Sequence, residues 1–213
     1  MIYAWPSRSQ YGAVIPKAQI YEHGPVSTRT RARFVDEVRE LRWSHKLSPR
    51  TTGLPASKAI NEIEVIAVRA KGERVHPSVL EAIARAVPEP VVFEVISDVG
   101  IMTAMLNEDP RRTLLSADPD ALDGTRTALP VAIDLASLVD ALRLSLMPLA
   151  ARRGENAEDL QRRLVRIDAL SRRIAMLERR VRSALQLNRQ MASRRELVAA
   201  RVELATLMEE DEK

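Results

Sequence analysis

Two glutamates in one short stretch come closest, by type and spacing, to the acidic residues of a catalytic site. Glu62 and Glu64 lie in the run 62–68, whose β-branched residues predict a strand. A restriction-type nuclease holds its metal ion with an acidic residue and an acid-x-Lys triplet, but Ile66 stands where the lysine would follow Glu64. The pair also fits a solvated strand surface, which is the favoured interpretation. A divergent metal-dependent nuclease using Glu37, Glu62 or Glu64 is the alternative.

The other residues that commonly carry chemistry are scattered or missing. The three histidines, His23, His45 and His76, show no His-x-x-x-His spacing of the kind that binds a metal. The sequence contains no cysteine, which excludes thiol catalysis and cysteine-based zinc sites. It also contains neither a Gly-rich phosphate loop nor a Gly-x-Ser-x-Gly elbow. We therefore expect no catalytic residues, no metal and no cofactor, and we favour a non-enzymatic protein.

A tryptophan beside basic residues offers a different chemistry, the binding of nucleic acid. Trp43 and Lys46 lie near the end of a helix predicted over 29–46. There Trp43 could stack on a base while Lys46 contacts a phosphate. The alternative is that Trp43 closes the core of its domain and Lys46 satisfies the last carbonyl groups of the helix. We favour this structural alternative and keep both residues as candidate nucleic-acid contacts.

Arginines form a second candidate surface for nucleic acid. The formal net charge is +4 and the isoelectric point is about 9.7, so the chain is basic overall. A basic helix that lay along a phosphate backbone would bind with a steep dependence on salt. The alternative is the solvated face of a coiled coil, which we favour. The candidate contacts in the last quarter of the chain are Arg172, Arg173, Arg179 and Arg180.

These residues must be positioned by a mixed set of elements, and the order of those elements predicts an α+β fold. A small α/β domain is expected over 1–128, followed by a helical hairpin over 129–213. One helix of the hairpin is long and resembles a coiled coil. The predicted elements are a helix over 29–46, a strand over 62–68, a helix over 76–86, strands over 90–97 and 101–106, and a helix over 134–152.

The last quarter of the chain, 157–209, lacks proline and glycine and predicts a long basic helix. Its apolar residues follow a seven-residue spacing, which is typical of the a and d positions of a coiled coil. Asn188 at one of these positions would be buried and would set the register. The preceding helix, through Leu138–Leu149, is the simplest cover for the first half. The candidate partner-binding residues are Leu170, Leu177, Asn188, Met191 and Leu197.

Length and composition agree with a soluble protein. The chain of 213 residues has room for one domain with an extension or for two small domains. No apolar run reaches the length of a membrane span, and the absence of cysteine fits a reducing compartment. We therefore expect a cytoplasmic location and no membrane contact. A homodimer through the long helix is a further expectation.

Several landmarks together resemble an uncharacterised bacterial family, a domain of unknown function of about this length. They span nearly the whole chain, although the loop Thr51-Thr52-Gly53 and the aromatic-poor segment 108–128 depart from the family pattern. The matching pieces are Ile15-Pro16-Lys17 with Tyr21-Glu22, the segment Trp43-Ser44-His45-Lys46-Leu47-Ser48-Pro49, the strand Glu62–Val68, Val79-Leu80-Glu81-Ala82-Ile83, Val87-Pro88-Glu89-Pro90 leading into Val91–Phe93, and Glu178–Arg195.

The resemblance bears on function only through the enzymes that such proteins accompany. It implies that proteins of this kind are companions of helicases and DNA methyltransferases in restriction-like anti-phage gene clusters. We therefore expect a non-enzymatic accessory or scaffold subunit of a DNA-directed defence assembly, in contact with a larger helicase or methyltransferase and with weak, non-specific nucleic-acid binding. A stand-alone nucleic-acid-binding module that uses the long helix is a second alternative.

Overall fold

The chain divides into two compact units in a computed structural model, Met1–Pro148 and Leu149–Lys213. The structure describes residues 2–107, 113–183 and 186–209, apart from the side chain of Leu187. The sequence also predicts a short strand over 112–115, of which residue 112 lies outside the described residues, as does Ala184, an apolar position of the seven-residue spacing. The division after Pro148 differs from the boundary predicted after residue 128.

A mixed sheet of six strands forms the centre of the first unit, in the spatial order β1 to β6. Neighbouring strands are antiparallel except β3 and β4, which run parallel because the helix Pro77–Ala86 connects them. Pairing in chain order reflects the short connections between the elements. The strands are β1 (Gln10–Val14), β2 (Val38–Leu47), β3 (Ile63–Ala70), β4 (Val91–Ser97), β5 (Gly100–Leu106) and β6 (Leu114–Ser116).

Several helices begin at a residue whose side chain caps them. The side chain of Ser27 accepts a hydrogen bond from the Thr30 amide at the start of α2. The side chain of Asp134 likewise accepts one from the Ser137 amide at the start of α5. The helices are α1 (Lys17–Glu22), α2 (Thr28–Glu37), α3 (Pro49–Thr52), α4 (Pro77–Ala86), α5 (Leu135–Ser145), α6 (Ala157–Ser183) and α7 (Leu187–Met208).

One face of the sheet packs against α1, α2 and α4 and contains the main core. Apolar residues of these helices meet alternate residues of the strands, as the period of two in a strand requires. This core holds Ile20, Phe34, Val79, Leu80 and Ile83 from the helices, and Leu41, Ile66, Val68, Phe93 and Val95 from the strands.

The helix predicted over 29–46 is half wrong, because α2 ends at Glu37 and the next ten residues form β2. The apolar positions Phe34, Val38 and Leu41 suggested one continuous helix face. In the structure Val38 begins a strand that pairs along most of its length with β3. Ten residues of ladder hydrogen bonds outweigh a local helical preference, which is worth only tenths of a kcal/mol per residue. Trp43 and Lys46 therefore lie on a strand and not at a helix end.

Helix α5 belongs to the first unit, although the sequence predicted it as part of the hairpin. Its apolar stripe is buried at Leu135, Leu138, Val139 and Leu142. Tyr3, which lies in the bridge between the N-terminal segment and Thr127, forms a hydrogen bond of 2.6 Å between its hydroxyl and that of Ser145. This contact fastens the end of α5 to the N-terminal segment.

The second unit is a hairpin of two antiparallel helices, where the sequence predicted one helix over 157–209. Helix α6 ends at Ser183, and α7 begins at Leu187 after Gln186 in an extended conformation. Arg166 reaches Glu203 and Arg201 reaches Glu178, so the two helices run in opposite directions. An isolated helix with an apolar stripe must bury that stripe, and folding back supplies a partner within the same chain. The cover predicted from Leu138–Leu149 is thus replaced by α7.

The predicted α+β class, with a sheet-containing part followed by a helical hairpin, is confirmed. The structure differs from the prediction in the helices that form the hairpin, which are α6 and α7, so that its first helix begins at Ala157. Within the described part of the chain, none of the helices combines the length and apolarity needed to cross a bilayer.

Candidate functional site

The cluster around Glu64 is the most concentrated set of functional groups on the sheet face that packs against the helices. Glu64 lies on β3 directly opposite Lys46 of β2, and Trp43 stands opposite Ile66, two positions further along β3. The indole Nε1 of Trp43 donates a hydrogen bond to Glu64 Oε2, and Lys46 Nζ lies 3.3 Å from Glu64 Oε1. Glu64 is only 2% exposed. The pairing of β2 with β3 therefore creates the site.

Burial raises the pKa of Glu64 to about 7. The hydrogen bond from Trp43 and the charge of Lys46 oppose this increase, whereas the neighbouring carboxylate of Glu62 adds to it. A carboxyl group with a pKa near neutrality can accept or donate a proton under physiological conditions. Strong perturbation of this kind also occurs in structural ion pairs, so by itself it does not identify an active site.

The ammonium group of Lys46 is held on several sides. It lies 4.4 Å from the centre of the Trp43 ring and 5.1 Å from the centre of the Tyr11 ring. A second carboxylate, Glu62, lies 3.7 Å away. A lysine placed between two carboxylates and two aromatic rings has its charge already compensated. The role of Trp43 and Lys46 in nucleic-acid binding stays a prediction. The alternative role of Lys46 at a helix end is wrong, because Lys46 lies on β2 and contacts the carboxylates of Glu62 and Glu64.

Tyr11 was not selected from the sequence and completes this group, which we call the aromatic corner (Tyr11, Trp43 and Lys46). Its ring meets that of Trp43 edge-on, with 6.1 Å between the ring centres. Tyr11 belongs to β1 at the edge of the sheet and is 57% exposed. Its position after Ser9-Gln10 in an irregular stretch gave no periodic signal. Only the pairing of β1 with β2 places it beside Trp43.

The third glutamate of the nuclease alternative, Glu37, lies far from the other two. Its carbonyl oxygen accepts a hydrogen bond from the Lys71 amide, beyond the end of β3 opposite to Glu64. The length of β3 separates these positions by roughly 20 Å. The carboxylate of Glu37 instead accepts a hydrogen bond of 2.6 Å from the amide of His76 at the start of α4. The structure therefore brings Glu62 and Glu64 together and keeps Glu37 apart.

A second buried carboxylate, Glu94 of β4, lies on the opposite face of the sheet. Its neighbours Phe93 and Val95 point into the main core, so Glu94 points away from it. Trp5 Nε1 donates to Glu94 Oε1 at 2.9 Å, and Arg126 Nη1 donates to the same oxygen at 2.6 Å. Glu94 was not selected from the sequence as a functional residue. The signal that could have found it was its position as a lone charge in an apolar strand.

His45 lies next to this carboxylate and is held mainly by packing. Its ring centre is 6.2 Å from that of Trp5. Burial lowers the pKa of His45, an effect that the carboxylate of Glu94 opposes and the charge of Arg126 reinforces. Its Nδ1 atom is buried without a hydrogen-bond partner within the described residues. The histidine is thus favoured in its neutral form, and Arg126 compensates the charge of Glu94.

The model of a domain of unknown function, DUF4391, matches residues 4–204, nearly the whole chain. The chain belongs to the DUF4391 family. No curated protein and no solved structure matches it. The family description gives no activity, so the functional interpretation of this DUF4391 chain depends on its own surfaces.

The hairpin of this DUF4391 chain buries part of the predicted partner-binding set. Leu170 and Leu177 of α6 form a small core with Ala200 of α7, flanked by Ile174, Leu197, Leu204 and Leu207. The seven-residue spacing therefore identified the correct face of α6. Asn188 and Met191 are exposed in this chain, so the hairpin does not cover them and their partner-binding role stays a prediction. The new helix that starts at Leu187 turns a different face toward α6 than one continuous helix would.

Helix α7 has a second apolar face, which we call the outer stripe (Met191, Val198, Val202 and Ala205). These residues follow at steps of seven, four and three and so share one side of the helix. At about 100° per residue this side lies roughly opposite the side that packs on α6. The outer stripe is exposed, with Val198 at 61% and Val202 at 62%. A helix with apolar residues on two opposite sides has packing capacity that the hairpin does not use.

The four predicted nucleic-acid-binding arginines of α6 are all exposed, but they differ in their partners. Arg172 pairs with Asp168, and Arg173 lies 3.9 Å from Glu196 of α7. Arg179 donates to the carbonyl of Ala175 on its own helix. Arg180 makes no ion pair within the described residues. Arg179 and Arg180 thus keep a charge that no carboxylate there compensates. The DNA-binding role of all four stays a prediction.

In the described ranges 2–107, 113–183 and 186–209, no group of three metal-binding side chains is present. The two carboxylate clusters each contain a tryptophan and a cation. Each of the buried carboxylates, Glu64 and Glu94, thus has a hydrogen-bond donor and a cation beside it, although at Glu64 the effect of burial is larger than theirs. The exposed side of Tyr11 and the outer stripe of α7 are apolar surfaces with unused packing capacity.

Proposed function

We propose that this DUF4391 chain is a non-enzymatic accessory subunit of a DNA-directed anti-phage assembly, in which its first unit binds a larger helicase or DNA methyltransferase. The observation that carries the proposal is the aromatic corner. Tyrosine and tryptophan supply large contact areas at low entropic cost and are enriched at the energetic centres of protein interfaces. Tyr11 is exposed, and its ring is already fixed against Trp43 and Lys46.

The position of the aromatic corner at a sheet edge supports the same proposal. Strand β1 pairs with β2 on one side only, and its register shifts between Gln10 and Ala13. Such an irregularity discourages the indiscriminate pairing of edge strands. A partner that packs side chains onto the exposed ring of Tyr11 gains apolar contact without needing a continuous ladder.

The link to a helicase or methyltransferase comes from the resemblance of the sequence to companions of such enzymes. In this arrangement the larger enzyme binds DNA, and the accessory subunit binds the enzyme. The assembly works in the cytoplasm. The basic charge of the chain adds weak, non-specific contacts to DNA that the assembly has already bound.

The test is co-purification from the native host with the tagged chain, read out by mass spectrometry. We expect an ATP-dependent helicase or a DNA methyltransferase encoded in the same gene cluster to co-purify with the unaltered chain. Tyr11→Ala removes the exposed ring and should reduce recovery of that enzyme more than 10-fold, because central aromatic contacts contribute about 2 kcal/mol or more.

Val99→Ala is the matched control. Val99 is similarly exposed at 54% and lies in the turn between β4 and β5, away from β1. Recovery of the enzyme should be unchanged by this substitution. Full phage protection in a strain that lacks the gene would contradict the proposal, as would equal recovery with the Tyr11 and Val99 variants.

A further inference from the structure

We infer that the outer stripe of α7 binds the same stripe of a second copy of this chain, with the two α7 helices antiparallel around a twofold axis. This surface differs from the aromatic corner, so the inference does not depend on the proposed function. The distribution of charge along α7 supports it once the ion pairs inside the hairpin are accounted for.

Most charged residues that face α6 are already paired. Glu196 lies near Arg173, Arg201 contacts Glu178, and Glu203 contacts Arg166. Each of these contacts joins the two helices of the hairpin. They stabilise the hairpin itself and leave little charge for a second partner.

The charged residues beside the outer stripe, in contrast, are not used in these ion pairs of the hairpin. Arg194 and Arg195 lie on either side of the stripe in the first half of α7, and Glu209 follows its last turn on the same side. Among the described residues these three side chains make no ion pair. One end of the stripe is therefore basic and the other end acidic.

This polarity selects both the partner and its direction. A second copy that packs antiparallel places its acidic end beside Arg194 and Arg195, and the twofold axis repeats the same contact at the other end. A parallel copy would place like charges together, which costs free energy. The surface is thus complementary to itself in one orientation only.

The apolar residues fit the same register. Val202 lies midway in the chain between Arg195 and Glu209, so the pairing of Arg195 with Glu209 brings Val202 next to Val202 of the second copy. Val198 then faces the region of Ala205. Small side chains at this position allow two helices to approach within about 8–10 Å. The two hairpins would form a four-helix arrangement with the outer stripes at its centre.

The register is tested by cross-linking, for which the absence of cysteine makes single substitutions specific. Val202→Cys should yield a disulfide-linked dimer under mild oxidation, because bridged cysteines need Cα atoms within about 7 Å. The control is Val165→Cys on α6, which is similarly exposed at 57%. Equal cross-linking of the two variants, or none with Val202→Cys, would overturn the inference.

The charge pairing is tested by exchange. Sedimentation should show the full chain as a dimer, and Arg195→Glu or Glu209→Arg alone should weaken dimerisation about 10-fold or more at low salt. The double variant, Arg195→Glu with Glu209→Arg, should restore it. A chain that is monomeric at all concentrations would overturn the inference, and the stripe would then bind a different protein. A double variant that dimerises more weakly than both single variants would overturn it as well. A monomer that still co-purifies with the enzyme would leave the proposed function intact.

Discussion

The burial of Glu64 makes its charge a source of instability that grows with pH. Its pKa in the folded chain is about 7, raised from an ordinary value of 4.5. Between these values the folded state binds more protons than the unfolded state, so the free energy of unfolding decreases as pH rises. Glu64→Gln removes this titration and keeps an oxygen that can accept the Trp43 hydrogen bond.

We therefore expect the advantage in stability of Glu64→Gln over the parent chain to increase between about pH 5 and pH 8, by on the order of 2 kcal/mol. Denaturant unfolding at both pH values measures this difference. The control is Glu62→Gln, which removes the more exposed carboxylate beside Lys46 and leaves Glu64 in place. If both variants change the pH dependence equally, burial of Glu64 is not its cause.

Individual residues also show how far the sequence could predict the site. Glu62 and Glu64 were recognised because acidic residues interrupt a β-branched run. Their contact with Trp43 and Lys46 depends on which residues of β2 lie opposite β3, including a register shift between Trp43 and His45. Such a shift moves side chains to the other face. No local pattern in the sequence specifies it, so the cluster could not be assembled in advance.

At the scale of the elements, a buried arginine holds the helical hairpin together where its chain enters α6 and leaves α7. Arg163 donates to both carboxylate oxygens of Glu155, at 2.8 and 2.7 Å, and to the carbonyls of Ala150 and Leu207. Its side chain is 5% exposed. The hydrogen bonds from Arg163 are the main reason why the pKa of Glu155 is lowered. One side chain thus connects the start of α6 to the end of α7.

We expect Arg163→Ala to destabilise the hairpin by about 3–5 kcal/mol, because it removes the charge partner of the Glu155 carboxylate and the Arg163 hydrogen bonds to two carbonyl groups. Hydrogen exchange of α6 and α7 amides measures this destabilisation locally. The control is Arg166→Ala, which breaks an exposed pair with Glu203 and should cost less than about 1 kcal/mol. Similar protection in both variants would contradict this role of Arg163.

The elements were predicted best where one periodicity dominated. Strands β3 and β4 and helix α4 agree with the sequence patterns to within a few residues. The misassigned segments are 38–46, where α2 passes directly into β2, and Gln186, which is extended before α7 where one continuous helix was predicted. Neither transition contains proline or glycine. Both are imposed by partners distant in the chain, which a local pattern does not reveal.

For the whole molecule, the net charge of +4 gives a weak general attraction to DNA. The arginines of α6 do not contribute equally to this attraction, because some of them form ion pairs with carboxylates of the same chain and others, in the described part of it, do not. Arg179 and Arg180 have no such partner within the described residues, whereas Arg162 pairs with Asp159 and Arg166 with Glu203. A compensated arginine must first leave its internal ion pair before it can bind a phosphate. DNA binding should therefore depend mainly on the uncompensated arginines.

We expect the isolated chain to bind DNA weakly, without sequence preference, and to release it near physiological salt. Arg179→Gln with Arg180→Gln should weaken binding at low salt more than Arg162→Gln with Arg166→Gln, although each pair removes the same formal charge from α6. Fluorescence anisotropy over a range of salt concentrations measures both the affinity and the salt dependence, whose logarithmic slope should fall by about 0.9 for each phosphate that the variant no longer neutralises. Equal effects of the two double variants would show that only net charge matters. Tight, sequence-specific binding would assign this chain a DNA-reading role of its own and contradict its role as an accessory subunit.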